Sequence, residues 1–247
     1  MNINHYGKSM VGSTGINGDV FYVSHDQKVF LLADGASGAG EHGKVLMGKT
    51  CVDIATEFDY SISKFEPKEY VDKLLNKINQ RLIELSQEYK KGVCGTIIIA
   101  IVDNETLTVT TLGDSPAYLC SNNSIFRVAK NQRRYENLID QGHITREEYD
   151  DYISRLHYMM SACFEIMLPS LIPNNIIEQY KIKEGDIFVL CCDGLSNWVS
   201  QDNIFKSIKK NGLQKGVDDL IETAKQLSLK TDKKFDDTTA LALQWTS

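Results

Sequence analysis

The sequence predicts an α+β fold in which helices cover antiparallel sheets. Three observations predict it. Strand candidates arrive in hairpin pairs, helix candidates arrive in blocks, and the alternation of single strands with single helices that marks a parallel sheet is missing.

Residues 19–24 (DVFYVS) and 28–34 (KVFLLAD) flank the turn His25-Asp26-Gln27 and open the first hairpin. Two helical blocks follow. Gly40 to Phe58 carries Val45, Leu46, Cys51, Val52 and Ile54. From Pro67, a residue suited to a first helical turn, apolar side chains at Val71, Leu74, Leu75, Ile78, Leu82, Leu85 and Tyr89 fall three and four apart and make one helical stripe. Two more hairpins come next: GTIIIAIV and TLTVTTLGD around Asp103-Asn104-Glu105, then AYLCS and SIFRVA around Asn122-Asn123. Ile97 to Val102 is apolar throughout, as in a strand buried on both faces. TREE, Thr145 to Glu148, reads as a capping box at the start of a short helix. DIFVLCCDG then supplies a strand, and Val217, Leu220, Ile221, Ala224 and Leu227 a further helical stripe. In the last strand, TTALALQW, Leu241, Leu243 and Trp245 alternate with Ala240, Ala242 and Gln244. With four prolines, no low-complexity stretch and no repeat, nothing marks a linker, so residues 1–247 are read as one domain.

Composition excludes several classes. The net charge of -6 is spread along the chain and forms no basic patch, which argues against a nucleic-acid surface. No apolar run approaches the ~20 residues of a membrane span. The first residues, MNINHYGKSMVGSTGING, lack the charged and apolar regions of a signal peptide. Six cysteines, Cys51, Cys94, Cys120, Cys163, Cys191 and Cys192, form no C-x-x-C pair and read as reduced core thiols, with Cys191 and Cys192 on opposite faces of a strand. A cytoplasmic monomer is the expectation.

The chemistry sits at strand ends. Asp19 opens a strand, Asp34 ends one in ADG, Asp114 follows one in LGDS, Asp193 ends one in CCDG, and Asp236 and Asp237 precede the last in FDDTT. Singly, Asp-Gly is an ordinary turn dipeptide. As a set, carboxylates gathered at one end of a sheet sandwich repel unless a cation lies between them. All-oxygen donors suit Mg²⁺ or Mn²⁺ rather than zinc. The glycine-rich loop after Asp34 is not a P-loop, because GAGEHGK has the wrong spacing and no Ser or Thr after Lys44.

FLLADGASG, GTIIIAIVDNETLTVTTLGDSPAYL, GDIFVLCCDGLSNWVS and FDDTTALAL resemble, in order, the main motifs of the metal-dependent protein phosphatase 2C family, and NLIDQGHITREEY resembles its helical middle. The resemblance runs from about Asn17 to Trp245. It implies a four-layer α-β-β-α sandwich, two antiparallel sheets flanked by helices. It also implies hydrolysis of phosphoserine and phosphothreonine on proteins by a water bridging two Mn²⁺ or Mg²⁺ ions, with a cognate Ser/Thr kinase as a partner. In that reading Asp34 bridges the metals and Gly35 offers its carbonyl. Asp193 and Asp236 complete one site and Asp19 helps hold the other, while Asp114 with Asp193 resembles the pair that holds a third, weaker ion in bacterial members.

Several positions depart from the family pattern. Its first motif, Arg-x-x-Asn-Glu-Asp, is here TGINGD, with Thr14 in place of the phosphate-gripping Arg and Gly18 in place of the Glu. Asp237 stands where the last motif has Asn, adding negative charge near an incoming phosphate. Ala36 stands where some members carry a His proposed as general acid, so no proton donor is assigned, and His42 reads as a solvated helix residue. Pro116 replaces a common Arg. Lys8, Lys44 and Arg133 are candidates to replace the missing Arg of the first motif. These departures motivate an alternative: a catalytically silent module of the same fold that binds a phosphorylated partner.

Overall fold

A computed structural model describes residues 1–59, 64–89, 92–128, 145, 147, 177–231 and 234–247. In chain order its elements are β1 (Asn2–Met10), β2 (Val20–Val23), β3 (Val29–Gly35), α1 (Gly40–Asp59), α2 (Pro67–Tyr89), β4 (Gly95–Asp103), β5 (Thr106–Leu112), β6 (Ala117–Ser121), β7 (Ser124–Val128), β8 (Glu178–Lys181), β9 (Ile187–Cys191), α3 (Asp193–Ser196), α4 (Gln201–Asn211), α5 (Leu213–Thr231) and β10 (Thr238–Thr246). The capping-box segment and the family-like helical middle fall outside the described residues, apart from Thr145 and Glu147.

The strands form two five-stranded sheets, β1-β10-β9-β6-β7 and β2-β3-β4-β5-β8. Every pairing is antiparallel. Between the sheets lie Phe30, Leu32, Ile98, Ala100, Phe188, Leu190, Leu241, Leu243 and Trp245. The opposite face of the second sheet, with Leu31, Ile97 and Ile99, packs on α1 and α2 through Met47, Leu74, Ile78 and Leu82. The opposite face of the first sheet, with Val189, Ala240 and Ala242, packs on α4 and α5 through Phe205, Val217 and Ile221. The result is the four-layer α-β-β-α sandwich. Each large aliphatic or aromatic side chain buried this way contributes about 1.5–3 kcal/mol.

Sequence periodicity accounts for these layers. Along β10, Leu241, Leu243 and Trp245 face the other sheet while Ala240 and Ala242 face the helices, so small residues let α5 sit close. The β6–β7 hairpin turns at Asn122 and Asn123, with φ of 51° and 63°, values that Asn tolerates better than most residues. Ser200 caps α4, its Oγ accepting from the Asn203 N–H at 3.4 Å. Five cysteines, Cys51, Cys94, Cys120, Cys191 and Cys192, are buried and free. Cys191 faces the helices and Cys192 the inter-sheet core, the split that adjacent strand positions require. Cys163 lies outside the described residues.

Two strands add to the expected set. β1 pairs with β10 along its whole length, from Asn2 opposite Thr246 to Met10 opposite Thr238. β8 pairs with the outer side of β5. Among the described residues, no helix is long and apolar enough to cross a membrane.

Candidate metal centre

Antiparallel pairing brings the acid-bearing ends to one edge of the sandwich. Val20 pairs with Ala33, which sets Asp19, just before β2, beside Asp34, the penultimate residue of β3. Cys191 pairs with Ala240, which sets Asp193, the first residue of α3, near the entry to β10 where Asp236 stands. The groups converge across the sheets. Burial raises the Asp34 carboxyl well above its ordinary range, and the charges of Asp19 and Asp193, contact with Asp19 and the charge of Asp236 raise it further. Asp19 is pushed up to about 6, first by its own burial. Carboxylate oxygens of Asp19 and Asp34 and the Cys192 sulfur lie within 4.8 Å of one another.

Asp19 carries the test of whether a cation fits. It is 4% exposed, and both its oxygens are buried without a hydrogen-bond partner among the described residues. A buried anion in that state is costly unless a cation completes it. Cys192 does not make the site a thiolate one. Burial, then the charges of Asp19, Asp34 and Asp193, push its thiol well above the usual range. Its sulfur accepts from the Thr239 N–H at 3.1 Å and lies 3.5 Å from the Asp237 carbonyl, as a donor to that oxygen. Donors from Asp19, Asp34, Asp193 and Asp236 therefore fit a hard divalent ion.

Neighbouring side chains aim these acids. Asn17 Oδ1 accepts from the Asp19 N–H at 3.0 Å, and Asn17 Nδ2 donates to Ser9 Oγ at 2.7 Å. The Thr239 hydroxyl donates to the same Ser9 oxygen at 2.6 Å, tying Asp19 to β1 and β10. Asn197 Nδ2 donates to Asp193 Oδ2 at 3.2 Å. Gly35 lies so close to α1 that a β-carbon there would stand 2.2 Å from the Lys44 carbonyl oxygen, so only glycine fits. Asp114 sits apart from the close Asp19–Asp34–Cys192 cluster, buried in the loop between β5 and β6, with its carbonyl accepting from Arg127 Nη2 at 3.0 Å. Ser115 and Thr96 bridge that loop to β4 through hydroxyls 2.5 Å apart.

The departures also have places. Asp237 does not project a free charge. Its Oδ1 accepts from the Gly12 N–H at 2.7 Å, and its Oδ2 accepts from the Gly18 N–H and from Lys44 Nζ, each at 2.8 Å. Lys44 is thus committed to Asp237, and Lys8 to Asp218 at 2.7 Å. Arg133 lies outside the described residues. His42 is exposed, with its ring 4.8 Å from that of Tyr89. Ala36 is buried beside the acids and offers only a methyl group. Cys192, Ser9 and Thr96 were missed as parts of this neighbourhood. Cys192 had one signal, its place immediately before Asp193.

Residues 24–137 match the family described as Protein phosphatase 2C. The chain is 23% identical over 217 residues to the serine/threonine phosphatase stp of Listeria monocytogenes, spanning 84% of this chain and 82% of that one. It is 28% identical over 134 residues to the serine/threonine protein phosphatase PstP of Mycobacterium tuberculosis, spanning 54% of this chain and 25% of PstP. The crystal structure of M. tuberculosis PstP/Ppp superposes with a TM-score of 0.81 at 20% identity over 99% of both chains. A second structure, the PstP catalytic domain in complex with two manganese ions, gives 0.80 at 20% identity, again over 99% of both chains. Over residues 24–137, just under half of its length, the chain is similar to the protein phosphatase 2C family. Against the motifs that it resembles, the chain has Asn17, Asp19, Asp34, Asp193 and Asp236 in place, and departs at Thr14, Gly18, Ala36 and Asp237.

Proposed function

We propose that this chain is a phosphatase 2C member that, acting as one catalytic unit over residues 1–247, hydrolyses phosphoserine and phosphothreonine on protein substrates with the help of two Mn²⁺ or Mg²⁺ ions. A single observation carries the reading: the buried Asp19 carboxylate, both oxygens without a hydrogen-bond partner, beside the Asp34 carboxylate. Asp34 would serve both ions, and the Gly35 carbonyl would be a further donor. Asp193 and Asp236 would complete the set for one ion and Asp19 would serve the other. Asp114 with Asp193 is assigned to a third, weaker ion. When bound, the ions neutralise phosphate charge and make a water acidic enough to attack near neutral pH. The chain's own residues hold and orient these groups. None is assigned as proton donor, because Ala36 has no polar atom and His42 packs against Tyr89 at the surface. A Ser/Thr kinase would supply the substrates.

The alternative of a silent module finds no support. The acids remain, and Lys44 neutralises the charge of Asp237, one of the departures that motivated it. The test is phosphate release by the purified protein from phosphoserine and phosphothreonine peptides and from p-nitrophenyl phosphate, with and without Mn²⁺. Mn²⁺-dependent release is expected. Binding of phosphopeptide with no release under any metal would overturn the proposal.

A further inference from the structure

Lys44 is the one buried cation among the described residues. Its side chain is 4% exposed and pairs with Asp237, itself 5% exposed. Its ammonium also donates to Thr14 Oγ1 at 3.3 Å. The Asp237 carboxylate that it meets gathers both ends of the Gly12–Gly18 loop, through the Gly12 and Gly18 N–H groups. The aliphatic stem of Lys44 lies against the Gly18 Cα, where a β-carbon would stand 2.9 Å from Cγ and Cδ. Its carbonyl lies against Gly35 on the other side. The Gly35 N–H in turn donates to the Gly18 carbonyl at 3.3 Å. Lys44 therefore touches Gly18, Gly35 and Asp237, and each of these is the chain neighbour of a proposed metal ligand: Asp19, Asp34 and Asp236.

We propose that Lys44 is a positioning residue for the metal centre: it clamps the three acid-bearing segments together and cancels the charge of Asp237, so that Asp237 acts as a hub for main-chain donors and not as a further ligand. This rests on the metal reading above. An ammonium pinned by Asp237 and Thr14, with its stem covered by Gly18, has little freedom to reach substrate. The Thr14, Gly18 and Asp237 departures then form one arrangement around one lysine. The small Gly18 admits the stem, Thr14 accepts from the ammonium, and Asp237 supplies the counter-charge.

The test is a charge cycle in the full chain: Lys44→Met, Asp237→Asn and the double variant, with Lys44→Arg as the conservative change. Mn²⁺ binding is read by titration calorimetry and the stability of the metal-free protein by thermal melting. Each single change leaves one buried charge unpaired beside the acids, so Mn²⁺ affinity is expected to fall by about tenfold or more. The double variant removes both charges and is expected to recover most of that loss. A merely structural pair would lower the melting temperature of the metal-free protein and leave Mn²⁺ affinity, measured where the protein is folded, unchanged. Single-variant affinities within twofold of the parent, or losses that simply add in the double variant, would overturn the proposal. If Lys44→Met fails to fold, Asp237→Asn, Lys44→Arg and the double variant decide the same question. A parent that takes up no Mn²⁺ overturns the metal reading and this inference together. A parent that binds while every variant matches it overturns this inference alone.

Discussion

Gly194 packs its Cα against the carbonyl of Asp237, so closely that a β-carbon there would stand 2.0 Å from that oxygen. This contact seats the turn carrying Asp193 on the segment carrying Asp236, and neither can shift without the other.

Gly194→Ala should therefore push the two segments apart. Overpacking of this kind costs about 1–3 kcal/mol. Urea denaturation should show that loss in the metal-free protein, and Mn²⁺ titration should show weaker binding. An alanine variant with unchanged stability and affinity would mean that the contact relaxes without consequence.

Asp34→Asn separates ligation from folding. Burial and neighbouring acids hold the Asp34 carboxyl well above its ordinary range, so the metal-free fold gains nothing from its ionised form. Phosphate release and Mn²⁺ uptake should both be abolished. The melting temperature of the metal-free variant at pH 7 should equal or exceed that of the parent. Retained Mn²⁺-dependent turnover would exclude Asp34 as a bridge.

The same burial sets a pH dependence. Asp19 titrates near 6 in the fold, against the ordinary range near 4 when unfolded, so between those values the native state holds more protons than the unfolded one. The stabilisation this gives is complete below about pH 4 and is lost as the pH rises through about 6. Asp34 shifts the same way and extends the loss upward. Thermal melts of metal-free protein across this window should show the decline. Melts with Mn²⁺ at about a hundred times its dissociation constant should recover roughly 2.7 kcal/mol at neutral pH, because the ion replaces the protons. A metal-free melting temperature that is flat from pH 4 to 7 would contradict the burial of these acids as ionisable groups.

Asn17→Ala tests the aim of Asp19. The variant loses the acceptor for the Asp19 N–H and the donor to Ser9. A stability loss of about 1 kcal/mol is expected, with reduced Mn²⁺ affinity on the Asp19 side. Supplying a carboxylate oxygen as acceptor with Asn17→Asp should recover part of the affinity if the acceptor is what matters.

Legibility in the sequence followed how local each determinant was. The β2–β3, β4–β5 and β6–β7 hairpins were readable because apolar runs and turn residues lie side by side, as at Asn122-Asn123. The helices α1 and α2 were readable from stripes and from Pro67. The edge strands β1 and β8 were not. NINHYGKSM and EQYK have polar, solvent-facing edges and little apolar alternation, as edge strands often do to avoid pairing with other chains. The acids Asp19, Asp34, Asp193 and Asp236 were legible because each ends or begins a strand in a recognisable motif. The pairing of Lys44 with Asp237 was not, since 193 positions separate them and nothing local marks a lysine on a helix as buried. Its discovery reverses the sense of the Asp237 departure, from an added negative charge to one half of a neutral pair.

The pairing of β1 with β10 has a consequence for synthesis. These strands meet residue by residue from Asn2 opposite Thr246 to Met10 opposite Thr238, so β1 waits for β10, which is made after every other element described. On the ribosome, β1 stays without its neighbour, and Ser9 without Thr239, until nearly every residue described here has emerged. Asp236 arrives immediately before β10. A nascent chain therefore cannot assemble the proposed metal centre before β10 has emerged.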